Sequence, residues 1–153
     1  MNPFHFFILS FSSAGGLGYA PKAPGTFGTL AAIPLWWLLA TWGFDWLSFL
    51  GATIAFTGFA ILIANQAETI YDEHDSGKIV IDEVAGLLLT AVGVPFEWPL
   101  VVTAFLVFRF FDIIKPPPVR QIDAKLGGGA GVILDDSMAG LYGLAVMHGL
   151  CWL

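Results

Sequence analysis

The chain has 153 residues, of which 57% are hydrophobic and only 12% are charged, and its formal net charge is −6. A soluble domain of this length leaves roughly a third of the surface of its unfolded chain in water, so it has no room to bury this much apolar side chain. The negative charge argues against nucleic acid as a partner. We therefore expect one membrane domain covering residues 1–153.

The N-terminal residues 1–10 are rich in phenylalanine and carry no basic residue before the apolar run, which is unlike a signal peptide. They suit an interfacial or buried anchor. Residues 15–28 follow as a loop rich in glycine and proline. Its single cation, Lys22, is a candidate for binding an anionic headgroup, although a lone lysine also fits a simple charge bias between the two sides of a membrane.

Two charge-free runs of 22 residues come next, Ala23–Phe44 and Trp46–Ala67, with Asp45 between them. About 20 apolar residues in a helix span a hydrocarbon core of roughly 30 Å. The two runs therefore predict a transmembrane hairpin, with helices at about Phe27–Gly43 and Trp46–Gln66. The alternative is a pair of buried helices in a large soluble protein, and the chain is too short for that.

The stretch Val84–Phe108 allows either one long helix or two short helices with a turn near Pro95 and Pro99. Two prolines four residues apart favour a break, and one long helix would place Glu97 near the middle of the bilayer at a high cost. With two helices, all six Lys and Arg residues fall on one side, which the positive-inside rule identifies as the cytoplasm. These residues are Lys22, Lys78, Arg109, Lys115, Arg120 and Lys125.

The segment Lys115–Asp136 contains PPP and GGGAG and is predicted as a structured loop. The apolar run Ser137–Leu153 is predicted as a last short helix. The predicted fold class is all-α: a small multi-pass helical membrane protein with four to five membrane-embedded helices and a polar site that faces the cytoplasm. The glycine run lacks the G-x-x-x-x-G-K-[ST] pattern, so no nucleotide is expected as a ligand.

Two similar acidic pairs precede apolar runs: Asp82 and Glu83 before Val-Ala-Gly-Leu, and Asp135 and Asp136 before Ser-Met-Ala-Gly-Leu. Helix capping, worth roughly 0.3–1 kcal/mol, accounts for one acid per helix but not for two adjacent acids twice. Four converging carboxylates would repel by about 4 kcal/mol per pair at 4 Å and an effective dielectric of 20. Such a cluster needs a cation, and oxygen ligands without cysteine favour Mg²⁺ or Mn²⁺.

Arg109, Asp112 and Lys115 are spaced three apart and so share one helix face. They form either a ladder of ion pairs at a helix end or a functional group, with Asp112 on the metal and Arg109 or Lys115 on phosphate oxygens. His74 beside Asp75 offers an acid–base pair, although a loop histidine next to an aspartate is more often structural or solvated.

Four blocks of the chain resemble the phosphatidylglycerophosphatase A family: APKAPGTFGTL at 20–30, HDSGKIVIDEVAG at 74–86, FRFFDIIKP at 108–116 and GGAGVILDDSMAG at 128–140. The resemblance implies Mg²⁺-dependent hydrolysis of a phospholipid substrate, phosphatidylglycerophosphate, to phosphatidylglycerol and phosphate. It also implies a location in the bacterial inner membrane. It leaves the oligomeric state open.

With phosphoryl transfer as the expected reaction, the candidate site residues take three roles. The metal ligands, for one or two Mg²⁺ ions, are predicted to be Asp82, Glu83, Asp112, Asp135 and Asp136. Lys22, Arg109 and Lys115 are predicted to neutralise phosphate oxygens, and His74 or Asp75 to protonate the leaving alkoxide. A covalent aspartyl-phosphate is an alternative to direct attack by water.

Two other functions remain as alternatives. A CDP-alcohol phosphotransferase also uses carboxylates and Mg²⁺ in a membrane, but its D-G-x-x-A-R core is absent here. An ion-binding transporter should carry acids in mid-span, whereas these acids are predicted at helix ends on one side. Phosphate release measured with and without EDTA separates a phosphatase from both.

Overall fold

The computed structural model describes residues 2–117, 119, 121 and 127–151, and the regular structure in these ranges is entirely helical. The predicted all-α class is therefore confirmed for the described chain. A short 3₁₀ turn, Leu17–Tyr19, lies between the first two helices. The helices are α1 (Pro3–Ser12), α2 (Pro24–Thr41), α3 (Trp46–Tyr71), α4 (Ile81–Ala91), α5 (Trp98–Ile114) and α6 (Gly128–Cys151).

Local sequence signals set several of the helix ends. The Asp45 carboxylate accepts a hydrogen bond from the Ser48 backbone N at 2.8 Å and so begins α3. α5 ends at Ile114 and is capped by Lys115, which adopts a left-handed conformation with φ of 47° ahead of Pro116. α4 stops at Ala91 and α5 starts at Trp98, so the predicted break within Val84–Phe108 is confirmed.

The start of α6 differs from the prediction. The helix begins at Gly128, so the last part of the segment predicted as a loop, including Asp135 and Asp136, is helical. The Gly129 backbone N donates to Asn65 Oδ1 at 2.7 Å, and a Cβ at Gly129 would overlap the α3 backbone. The close contact with α3 thus outweighs the roughly 1 kcal/mol by which each glycine disfavours a helix. Arg120 and Lys125 lie outside the described residues.

α4 is the central helix of the bundle. Ten of its 11 residues are buried, and it packs against α2, α3, α5 and α6. Its closest approach is to α6, where a Cβ on Gly140 would lie 2.5 Å from the Gly86 carbonyl oxygen. One turn further on, the Thr90 hydroxyl donates to the Gly140 carbonyl at 3.2 Å. Residue numbers rise together along both helices, so α4 and α6 run parallel.

The bundle has two chemically different ends. At one end, which we call the acid end, the first turn of α4 meets the first turns of α2 and the last turns of α5. At the opposite end, His148 Nε2 forms a hydrogen bond of 2.8 Å with the Val92 carbonyl, and Gly93 lies beside His148 and Trp46. The two short connections that carry Asp45 and Glu97 are at this opposite end.

The described cations share the acid end. Lys22 precedes α2, Lys78 precedes α4, Arg109 lies in the last turns of α5, and Lys115 directly follows that helix. The one-sided arrangement of charge that favoured two helices within Val84–Phe108 is therefore confirmed for these four residues.

Within the described ranges, α3 and α6 are long and apolar enough to cross a membrane, fewer than the four to five helices predicted. α4, with 11 residues, is only about 16 Å long. α2 is less apolar than α3 because it contains proline, glycine and threonine. α5, with 17 residues, is one residue shorter than the 18 taken as the minimum for a span. In the most apolar 18-residue stretch of α3, only 28% is buried inside the bundle. Most of the apolar surface of α3 therefore faces outward, unlike that of a core helix.

Candidate active site

Three carboxylates converge at the acid end: Asp82 and Glu83 from the first turn of α4, and Asp136 from α6. One oxygen of each lies within 4.8 Å of the others. We call these three residues the acid cluster. The parallel packing of α4 and α6 explains the convergence, because Gly86 and Gly140, at the point of contact, each follow an acid of the cluster by four residues, or about one turn.

The acid cluster is buried, and some of its carboxylate oxygens have no hydrogen-bond partner in the part of the chain that the structure describes. Asp82 is 9% exposed and Asp136 is 4% exposed. Among the described residues, Asp82 Oδ1 and Glu83 Oε2 are buried without a hydrogen-bond partner. Burying an anionic oxygen without a partner costs several kcal/mol. This arrangement of oxygen donors fits a hard divalent cation.

Helix capping does not explain these acids. The N-cap residue of α4 is Val80, whose side chain forms no capping hydrogen bond. Asp136 is the ninth residue of α6, about two turns inside the helix, so the prediction that it sits at a helix mouth is wrong. Capping therefore does not account for Asp136, and Asp82 and Glu83 place two acids in the first turn of α4 where a cap needs one.

Two ion pairs flank the acid cluster. Arg109 NH1 lies 2.6 Å from Asp112 Oδ2 and 3.7 Å from Glu83 Oε1. Lys115 Nζ donates to Asp135 Oδ2 at 2.6 Å, and Asp135 Oδ1 accepts from the Asp136 backbone N at 2.9 Å. The predicted ladder along α5 thus exists between Arg109 and Asp112, whereas Lys115 reaches across to α6.

The site as a whole is strongly negative. The acid cluster together with Asp112 and Asp135 contributes five carboxylates, and Arg109 and Lys115 contribute two cations. If all are ionised, three negative charges are in excess. A phosphate monoester carries about −1.5 to −2 at pH 7, so the site has to gain positive charge before such a group can bind.

The structure places Lys22 and His74 outside the acid cluster. Lys22 is exposed, three residues before Gly25, and so within about 10 Å of that residue along the backbone. In the described part of the chain, the His74 ring is 60% exposed and its Nδ1 lies 2.5 Å from Glu68 Oε1. The Asp75 backbone N donates to the same oxygen at 2.9 Å. The roles of Lys22 and His74 stay predictions.

Three residues at the site were not singled out from the sequence. Gly25 and Gly28 bring the backbone of α2 against the acid cluster: a Cβ at Gly25 would overlap Glu83 Oε1, and one at Gly28 would lie 3.0 Å from Glu83 Oε2. The sequence feature that could have indicated these two glycines is the G-x-x-G spacing after Pro24, which places both on one helix face. Asn65, which anchors the start of α6, was visible as one of two adjacent amides, with Gln66, near the end of an apolar run.

Comparison with known proteins gives a consistent result. The family model described as Phosphatidylglycerophosphatase A matches residues 10–151. A phosphatidylglycerophosphatase A of Escherichia coli strain K12 is 32% identical over 96% of this chain and 83% of its own length. The Haemophilus influenzae protein of the same name is 35% identical over 98% of this chain and 90% of its own length.

A Bacteroides thetaiotaomicron protein with the provisional name phosphatidylinositol-3-phosphatase is 36% identical over 90% of this chain and 89% of its own length. No solved structure matches the chain.

Proposed function

Since this chain belongs to the phosphatidylglycerophosphatase A family and is therefore a phosphoric monoester hydrolase, we propose that it hydrolyses phosphatidylglycerophosphate to phosphatidylglycerol and phosphate. The reaction takes place at the acid end and depends on Mg²⁺. The observation that carries this proposal is the convergence of three buried carboxylates, two of them with oxygens that lack a partner among the described residues.

The acid cluster supplies the ligands in this proposal. Asp82, Glu83 and Asp136 would hold Mg²⁺, since the cluster offers oxygen donors and no sulfur or nitrogen. When bound, the ion supplies positive charge for the phosphoryl oxygens and a water of lowered pKa. The predicted roles of Asp112 and Asp135 as further ligands are compatible with their places at the edge of the cluster, where each also pairs with a cation.

The cations orient the substrate. Arg109 is held between Glu83 and Asp112, so its guanidinium is fixed beside the cluster and its other N–H groups are available to phosphate oxygens. Lys115 fixes Asp135 and adds positive charge on the α6 side. Lys22 lies in the loop that leads into Gly25, and its long side chain can reach a headgroup at the site. His74 remains our candidate for protonating the leaving alkoxide.

We place the bundle in the bacterial inner membrane with the acid end toward the cytoplasm. Large apolar side chains are exposed on four helices, which would be unfavourable in water over so wide an area. They include Trp37, Ile54, Leu62, Val102, Leu106, Leu141 and Val146. The four described cations at the acid end support the cytoplasmic orientation. The acyl chains of the substrate then stay in the leaflet while its phosphate reaches the acid cluster.

The test is phosphate release by the purified protein in detergent. We expect release from phosphatidylglycerophosphate with Mg²⁺, loss of release with EDTA, and recovery when Mg²⁺ is added in excess. Phosphatidylinositol 3-phosphate belongs in the same panel, because one relative bears the name of a phosphatase for that lipid. No release from phosphatidylglycerophosphate would contradict the proposed reaction, whereas release that EDTA leaves unchanged would contradict the metal dependence alone.

A further inference from the structure

A cavity of about 460 Å³ lies between α1, α2, α3 and α4. Its walls are almost wholly apolar and include Phe11, Ala31, Leu35, Phe56, Ile81 and Val84. The volume is within the range of roughly 300–1,000 Å³ found for ligand sites in proteins. Neither the acid cluster nor its flanking ion pairs contribute to these walls, so the cavity is a separate feature.

The cavity begins about one helical turn from the acid cluster. On α4, Ile81 and Val84 line the cavity, and the two residues between them are Asp82 and Glu83. The first turn of α4 thus presents carboxylates on one side and a cavity wall on another.

α2 makes the same connection independently. A Cβ on Gly28 would lie 3.0 Å from Glu83 Oε2, so Gly28 is beside that carboxylate. Ala31 and Leu35, which line the cavity, follow Gly28 on the same face at steps of three and four residues. At 1.5 Å per residue, these two side chains lie about 4.5 and 10 Å further along the helix axis than Gly28. A ligand that extends from the acid cluster along α2 enters the cavity.

We propose that this cavity binds an acyl chain of the lipid substrate, an inference that rests on the proposed phosphatase function. The occupant has to be apolar because the walls offer almost no polar partner, and it has to reach the acid cluster within about 10 Å. A phospholipid with a terminal phosphate meets both conditions in one molecule. Phe11 and Leu35 are themselves exposed at the outer surface, so a chain enters sideways from the bilayer.

Filling the cavity tests this assignment. Ala31→Phe adds a large side chain to the wall, and Ala55→Phe makes the same change on α3 at an exposed position next to the cavity residue Phe56. The substrates are phosphatidylglycerophosphate with two palmitoyl chains and its dihexanoyl analogue. We expect Ala31→Phe to raise KM for the long-chain lipid about tenfold and to change KM for the short-chain lipid less than threefold. Ala55→Phe should change neither KM.

Equal behaviour of Ala31→Phe and the wild-type protein on both lipids would overturn the assignment. An equal loss on both lipids would also count against it, because that pattern indicates damage to the acid cluster and not to a chain site. Failure of the wild-type protein to release phosphate from either lipid would instead contradict the proposed function.

Cross-linking of the wild-type protein gives a result that depends on neither activity nor the folding of a variant. The probes are two lipids with a diazirine in one acyl chain: phosphatidylglycerophosphate and diacylglycerol, which lacks the phosphate. We expect the phosphate-bearing probe to label residues 10–15 and 31–35 at least fivefold more than diacylglycerol does. Labelling confined to outward-facing positions such as Trp37 and Leu62, or equal labelling by both probes, would overturn the proposal.

Discussion

Asp136 contributes a buried carboxylate to a group that already contains Asp82 and Glu83, so neutralising it tests the metal proposal directly. Asp136→Asn keeps the size of the side chain and removes one negative charge. We expect phosphate release to fall at least 100-fold while the protein remains inserted and folded. Full activity would remove Asp136 from the site.

The same variant should respond differently to the ion in thermal unfolding. In EDTA, Asp136→Asn should melt no lower than the wild-type protein, because mutual repulsion among buried carboxylates is reduced. Addition of Mg²⁺ should raise the Tm of the wild-type protein and leave that of the variant nearly unchanged, since a ligand stabilises only the state that binds it. Equal increases in Tm would show that the ion binds elsewhere.

At the residue level, the sequence predicted the chemistry of the site better than its pairings. Adjacent acids in a chain so poor in charge are conspicuous, and the structure brings Asp82, Glu83 and Asp136 together. The ion pair of Lys115 with Asp135 could not be predicted from the sequence, because Asp112 is much nearer to Lys115 along the chain. That pair depends on the packing of α5 against α6, which sequence spacing does not reveal.

At the level of helices, the contact between α4 and α6 depends on the absence of side chains at two positions. A Cβ on Gly86 would overlap the Phe108 ring and lie 2.9 Å from the Asp136 carbonyl oxygen, and one on Gly140 would lie 2.5 Å from the Gly86 carbonyl oxygen. We expect Gly140→Ala to destabilise the protein by about 1–3 kcal/mol, the usual cost of overpacking. Unfolding followed by circular dichroism in detergent measures this.

α3 offers a matched control. Gly58 is exposed, and a Cβ there would meet nothing within 4 Å. Gly58→Ala should therefore be neutral or stabilise by up to about 1 kcal/mol, since alanine favours a helix over glycine. A loss of stability at Gly58 equal to that at Gly140 would mean that the effect does not come from the contact between α4 and α6.

Helix boundaries were predictable where a local signal exists and not where a distant contact decides. Pro95 and Pro99 indicated the break between α4 and α5, and Asp45 indicated the start of α3. The start of α6 was not predicted, because glycine has a low helix propensity and the glycine run at 127–129 therefore favours a loop. Asn65, more than 60 residues earlier in the chain, supplies the acceptor that the first turn of α6 uses.

For the whole molecule, the two ends of the bundle differ in charge, and the chain's single cysteine can be used to find which side of the membrane one of them faces. Cys151 is exposed at the end of α6, which lies at the end opposite the acid cluster. In right-side-out membrane vesicles, we expect a membrane-impermeant maleimide to label Cys151 without permeabilisation. Mass spectrometry of the purified protein quantifies the labelling.

A cysteine at the other end completes this experiment. Lys78→Cys in a Cys151→Ser background should react only after the vesicles are permeabilised, because Lys78 lies in the turn before α4 at the acid end. The reverse pattern would invert the orientation. Labelling of both positions in intact vesicles would contradict a membrane-spanning bundle.

The overall class was predictable from composition, but the arrangement of the bundle was not. Long charge-free runs indicated helices in a membrane, and the described structure is all helical. The prediction of four to five membrane-embedded helices exceeds the two described helices that are long and apolar enough to cross, and α4 is too short with 11 residues. Its residues are apolar since it is surrounded by four other helices, and a pattern of hydrophobicity does not distinguish protein from lipid as the surroundings.

The contact between Gly86 and Gly140 sets the separation of α4 and α6 about one turn after Asp82 and Asp136. Because the two backbones already touch, the helices cannot move closer there, and any added side chain would spread them apart together with their acids. Mg²⁺ requires oxygens at about 2.0–2.1 Å, whereas Ca²⁺ accepts 2.3–2.6 Å and more ligands. If the acid cluster holds an ion as we propose, the absence of a Cβ at Gly86 and Gly140 would set how small that ion can be.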